Sequence, residues 1–270
     1  MGFTDWFHLD KTLLSQDGIN IEVYSFNYDE QNQTIMSEWA SRFRNNYCLD
    51  DKLDRLRRGT LFSRKEYLLI RAFPDRSVDF GPATRAGDFS EILVADFLEF
   101  LENYWVPSRI RYQTKATRNS STQGCDVVAF KIKDDTLQNS DDEALVVEVK
   151  AKYSKNVPDD NRLGDAVCDS GKDPTRYPEF LNYAKKRFLD TNDDHSADLI
   201  ERFQDSLNRP YKMNYGAAAF FDKIVYSDAK VESTDCSAHP QKSHLRLLVV
   251  TGVDMMKLVH SLYERAAREA

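Results

Sequence analysis

Four residues between positions 91 and 150 combine the types and spacing that metal-assisted hydrolysis of a phosphodiester requires: Glu91, Asp126, and Glu148 and Lys150 on either side of Val149. Carboxylates brought together without a counter-charge are costly, so they need a cation or a proton between them. Hard oxygen donors favour Mg2+ or Mn2+, and Mg2+ is held by one or two carboxylates while it keeps waters and phosphate oxygens as its other ligands. A lysine beside such a site can orient or deprotonate the attacking water and stabilise charge developing on the phosphate. On this reading Asp126, Glu148 and Glu91 are metal ligands and Lys150 completes the catalytic set.

The elements around these residues explain how they could meet. The run 144–150 is short and rich in valine, which predicts a strand buried on both faces. With a side-chain period of two, Leu145, Val147 and Val149 share one face, and Val146, Glu148 and Lys150 share the other. Residues 124–132 predict a second strand, and the polar stretch 134–143 predicts a hairpin connection that brings Asp126 beside Glu148. Glu91 falls in 87–101, where Phe89, Ile92, Leu93, Phe97, Phe100 and Leu101 make an apolar helical stripe. Asp88 or Ser90 could cap that helix, which would put Glu91 in its first turn.

This pattern resembles the PD-(D/E)xK nuclease superfamily, whose core has a helix with a Glu, a strand with an Asp, and an E-x-K on the next strand. The residues that match are Glu91, Asp126, Glu148 and Lys150. The resemblance implies an α/β fold with a restriction-endonuclease-like core, a central mixed sheet flanked by helices. It extends from about residue 87 to the C-terminus. The wider chain is similar to the HamA family of nuclease subunits from Hachiman antiphage defence systems. The 85–92 helix start, the Gly124-Cys-Asp strand, the Val147-Glu-Val-Lys strand and an N-terminal α/β segment carry that similarity. It implies DNA as the substrate and a superfamily 2 helicase (HamB-like) encoded beside it as partner.

Each residue also has a plainer reading. Asp126 could begin a strand from a turn, Glu148 and Lys150 could be an ion pair on an edge strand, and Glu91 could be a solvated helix residue. A catalytically idle nucleic-acid-binding or scaffold subunit would keep the fold without the reaction. Other chemistries fail on spacing. Gly171 and Lys172 are followed by Asp173 where a phosphate loop needs Ser or Thr, and Cys236, His239 and His244 lack a fourth zinc ligand. No nucleophile elbow or dinucleotide glycine pattern is present.

A chain of 270 residues can bury a substantial core. It has no apolar run near the ~20 residues of a membrane span, and its first residues lack the pattern of a secretory signal, so no membrane partner is expected. Four scattered cysteines fit a reducing cytosol better than a disulfide framework, and the antiphage resemblance implies that this is the cytoplasm of a bacterium. The net charge of −7 runs against DNA binding. Yet 52–76 is rich in Lys and Arg, and Arg109, Arg111, Lys115 and Arg118 lead directly to the Asp126 strand as candidate nucleic-acid contacts.

The N-terminal part predicts a strand at 18–26 and a helix at 34–47, with Trp39, Phe43 and Tyr47 as its core face. A soft boundary near 79–87 divides an N-terminal α/β extension, 1–83, from the nuclease-like domain, 84–270. Beyond Lys150 the pattern predicts a loop at 154–173, helices at 177–189 and 196–207, a strand at 244–250 and a closing helix at 255–267.

Overall fold

The computed structural model describes residues 2–120, 124–134, 139–155 and 161–270. Parts of the expected hairpin loop (135–138) and of the expected loop after Lys150 (156–160) lie outside them.

A six-stranded mixed sheet forms the middle layer, in the order β1-β2-β6-β5-β4-β3. Its strands are β1 (Phe7–Leu14), β2 (Asn20–Phe26), β3 (Val127–Lys131), β4 (Glu143–Lys152), β5 (Lys212–Asp222) and β6 (Leu245–Gly252). The outer pairs β1/β2 and β3/β4 are antiparallel, and β2/β6, β6/β5 and β5/β4 are parallel. Trp105 adds a single antiparallel bridge to Phe130, outside β3.

Each face of the sheet buries its own apolar cluster, which makes three layers. Val147, Ala218, Phe220 and Val250 pack under α1 (Gln33–Tyr47), α4 (Gly81–Phe100) and α9 (Met255–Arg268). Val146, Ala217, Ala219 and Val249 pack under α5 (Arg162–Ser170), α6 (Asp173–Asp190) and α7 (Asp194–Arg202). Three short helices lie outside these layers: α2 (Asp50–Arg57), α3 (Arg64–Tyr67) and α8 (Asp228–Glu232). No helix among the described residues is long and apolar enough to cross a membrane.

The predicted strand at 18–26 is β2, and the aromatic stripe of the next helix faces the core. Trp39 and Phe43 pack against Phe89, and Phe43 meets Tyr263 edge-on with ring centroids 4.8 Å apart. The stretch 79–87 lies at the start of α4, and strands from both sides of it share the sheet through the β2/β6 pairing.

Four expectations change. The helix bearing Glu91 begins at Gly81, not near residue 88, so Glu91 stands in mid-helix and neither Asp88 nor Ser90 is its cap. Pro82 in the first turn suits a helix start, and Gly81 is required because a Cβ there would lie 1.4 Å from the Asp75 carbonyl oxygen. The expected loop after Lys150 contains α5, capped by the Asn161 side chain, which accepts from the Gly164 N–H at 3.0 Å. The helix expected at 196–207 ends earlier, at Arg202. Two strands were not expected: β5 at the sheet's centre and β1 at its edge.

Candidate active site

The β3/β4 register pairs Val127 with Val147, which sets Asp126, one residue before β3, level with Glu148. Asp126 is also tied to β4 directly, since its Oδ2 accepts the Val149 N–H at 3.0 Å. On β4 the alternation is as predicted: Leu145, Val147 and Val149 join one core cluster, Ala144 and Val146 the other. Glu148 and Lys150 continue that second face near the strand's end. Their partners across the parallel pairing with β5 are Ala217 and Ala219, small side chains that leave room beside the charged pair.

Lys150 Nζ does pair with Glu148 Oε1, at 2.7 Å, as the plainer reading supposes. The strand, however, is internal rather than an edge, and Glu148 is 5% exposed. Lys150 has a further partner in Asp169 of α5, at 2.8 Å, and Glu148 Oε2 lies 3.4 Å from Arg176 of α6. Arg176 in turn approaches Asp173, which is fully buried.

Glu91 reaches the same region from the opposite layer. Its Oε2 accepts the Tyr112 hydroxyl at 2.8 Å and lies 3.9 Å from Arg111 Nη1. Arg111 Nη2 is 3.5 Å from Asp126 Oδ1, and Nη1 also donates to the carbonyl oxygens of Cys125 and Asp126. The structure therefore brings Glu91, Asp126, Glu148 and Lys150 into one neighbourhood, with Arg111 between Glu91 and Asp126.

The electrostatics record this crowding. Burial first, and then the charges of Glu91 and Glu148, push the Asp126 carboxyl well above the usual carboxylate range. Burial and the Glu148 charge push Asp173 up to about 7 despite Arg176. Burial pushes Asp88 up to about 6, with Lys115 opposing the shift and Glu91 adding to it. Burial alone would lower the Lys150 amine, but the hydrogen bonds it donates to Asp169 and Glu148 outweigh that and raise its pKa. Lys150 is thus held by two carboxylates that favour its ammonium form, which can orient a water or offset negative charge.

The cations expected to meet nucleic acid point inward. Arg109 pairs with Asp96 at 2.6 Å and Glu99 at 2.8 Å, Lys115 with Asp88 at 2.5 Å, and Arg118 with Asp75 at 2.5 Å. With Arg111 facing Glu91, the segment 109–115 runs back along α4 and meets its acids in reverse order. Each of these four cations is paired with a carboxylate of the fold, so little of their charge is presented to solvent, while Arg111 and Lys115 also line a pocket beside the site.

Asp169, Asp173 and Arg176 were missed. They surround the Gly171-Lys172 pair, whose residues by themselves suggest only a failed phosphate loop. Their spacing of four and three residues, bracketing a helix junction, was the available signal.

Among the described residues no three His, Cys, Asp or Glu side chains converge closely enough to enclose a metal ion by themselves. The donor set instead fits the sparse protein ligation typical of Mg2+, with Asp126 and Glu148 level on paired strands. A cation there would relieve the like-charge burden on Asp126.

No curated protein and no solved structure matches the chain. The HamA family model matches residues 1–266, nearly the full length of 270, and the chain therefore belongs to the HamA family.

Proposed function

We propose that this HamA-family chain is a divalent-metal-dependent nuclease that hydrolyses phosphodiester bonds in DNA. In this reading it is the cytoplasmic effector of a Hachiman-type antiphage complex controlled by a superfamily 2 helicase. Family membership points to the defence role. The observation that carries the chemistry is the Asp126 carboxyl, level with Glu148 on a paired strand and raised by burial and then by the charges of Glu91 and Glu148. An idle fold has no physical use for that cost. The order of elements also supports a PD-(D/E)xK core: α4, the Trp105 bridge, β3, β4, a helical layer, then β5.

Asp126 and Glu148 would hold Mg2+ or Mn2+, whose chemistry is to lower the pKa of a bound water and offset charge on the phosphate. Lys150, held as an ammonium between Glu148 and Asp169, donates hydrogen bonds to the attacking water or to a phosphate oxygen. Glu91, fixed by the Tyr112 hydroxyl, contributes negative charge from the opposite layer. Arg111 and Arg176 hold the carboxylates in place and supply positive charge where a phosphate would approach.

Plasmid nicking by the chain alone and with its helicase, in Mg2+, Mn2+ or EDTA, tests this. Metal-dependent nicking that disappears in Glu148→Ala is expected, and full activity in that variant would overturn the assignment. A second reading, the idle scaffold subunit, draws on the fact that Arg111, Lys150 and Arg176 already offset the carboxylates. Calorimetric titration separates the two, because a scaffold shows no Mn2+ binding that Asp126→Ala removes.

A further inference from the structure

A pocket of about 550 Å3 lies beside the carboxylates, between α6 and the segment Pro107–Thr114 with the residues that follow it. One wall comes from a single face of α6, where Arg176, Glu179, Phe180 and Tyr183 recur at three- and four-residue spacing. Arg111 and Thr114 line the other wall, and Cys125, next in sequence to Asp126, is also part of the lining. The walls meet through a 2.6 Å hydrogen bond between the Thr114 and Tyr183 hydroxyls.

Two of the lining groups belong to the site as well. Arg176 is 3.4 Å from Glu148 Oε2, and Arg111 is 3.5 Å from Asp126 Oδ1. The pocket therefore has a cationic end against the proposed reaction centre and an aromatic wall, Phe180 and Tyr183, further along. Its volume is that of a small-ligand site. One nucleotide satisfies these features, with its phosphate toward the guanidinium groups and its base against the rings. Stacking of that kind is indifferent to sequence, because every base has a π-face. A free polyphosphate fits less well, since the exposed Glu179 carboxylate opposes several clustered negative charges. A base still paired in a duplex cannot enter.

We propose that this pocket takes one unpaired nucleotide of a DNA strand, which makes single-stranded or frayed DNA the substrate class. The proposal rests on the nuclease reading for its consequence, but the binding it asserts can be measured without cleavage.

The probe is a short fluorescein-labelled oligothymidine, compared with a blunt duplex of equal length, by anisotropy in EDTA. The wild-type chain should bind the single strand about tenfold more tightly than the duplex. Tyr183→Ala should remove about tenfold of that affinity while Tyr183→Phe keeps most of it, because the ring rather than the hydroxyl does the stacking. Glu179→Lys, a change on the exposed rim, should tighten oligothymidine binding and steepen its salt dependence, and it stands as a check if Tyr183→Ala fails to fold. Equal affinity for single strand and duplex would overturn the proposal, as would unchanged binding in both Tyr183→Ala and Glu179→Lys. Nicking assays in Mn2+ distinguish the two failures. Cleavage with an unaltered KM for single strands in Tyr183→Ala sinks the pocket and leaves the nuclease standing. Tyr183-dependent binding with no cleavage under any condition sinks the nuclease and leaves the pocket.

Discussion

Asp173 offers a quantitative test of how the site stores charge. Its carboxyl is fully buried at the start of α6, and burial together with the Glu148 charge lifts its pKa from 3.8 to about 7. A carboxyl with a raised folded pKa binds its proton more tightly in the folded chain than in the unfolded one. Stability is therefore fully present below the unfolded value and is lost as pH rises from about 4 to about 7. At about 1.4 kcal/mol per pH unit, the cost of ionising Asp173 in place is about 4 kcal/mol. Asp173→Asn removes that cost at high pH but weakens the contact with Arg176, worth about 1 kcal/mol. The variant should therefore be more stable than wild type by about 3 kcal/mol near pH 8 and slightly less stable near pH 4. Urea unfolding in EDTA at both pH values, followed by far-UV circular dichroism, measures this directly. If Asp173→Asn loses the same stability at both, or the wild-type chain is equally stable throughout, the carboxyl is not carrying the burden assigned to it.

Removing Asp126 should separate stability from function in a similar way. Asp126→Asn is expected to raise the melting temperature in EDTA, by relieving repulsion from Glu91 and Glu148, while it reduces nicking at least about a hundredfold; a lowered melting temperature contradicts the charge argument. Lys150→Ala should lose cleavage to a similar degree, with Lys150→Arg recovering part of it because the group only donates, and a Lys150→Arg variant as inactive as Lys150→Ala would contradict the ammonium assignment. Arg109→Ala should cost about 3 kcal/mol of stability by stranding the buried Asp96, measured by urea unfolding, with the salt dependence of DNA binding unchanged. Reversing Arg55, Arg58 and Lys65 to Glu should weaken co-purification with the helicase without changing Mn2+ binding, and full co-purification would remove that surface from the control of the complex.

The parts of the site that were legible in the sequence are those set by strand periodicity. Glu148 and Lys150 had to share a face once 144–150 was a strand, and the polar stretch before it implied the hairpin that brings Asp126 level. The stripe Trp39, Phe43, Tyr47 was legible for the same reason at helical period. Strand β5 was hidden because its centre, Gly216 to Ala219, is small and lacks the branched side chains that mark strands. Those small residues are required by position. A Cβ on Gly216 would come 3.1 Å from Val147, and Ala217 and Ala219 stand beside Glu148 and Lys150. Strand β1 was hidden for the opposite reason, since as an edge it buries little besides Phe7 and shows no clean alternation. The inward turn of Arg109, Arg111 and Lys115 needed knowledge of which α4 face they lie against, which one-dimensional charge density does not contain.

That inward turn bears on how the proposed nuclease would find DNA. A chain of net charge −7 gains little from long-range attraction to a polyanion, and the cations nearest the site are already matched to Glu91, Asp96, Glu99 and Asp88. Affinity through phosphate contacts grows with the number of cations free to displace counterions. Among the described residues of α2, α3 and the turn between them, Arg57 and Arg64 are spent on Asp54, while the exposed Arg55, Arg58 and Lys65 have no ion-pair partner. Beside them, Leu56 and Leu61 are exposed apolar side chains, which a protein surface covers more readily than a nucleic-acid backbone does. Cations interleaved with exposed leucines suit an acidic protein partner with apolar anchors. On the proposed reading the helicase docks there and brings the unwound strand, so that DNA reaches the carboxylates by delivery rather than by the chain's own attraction. Activity would then depend on the partner even though every proposed catalytic group resides in this chain.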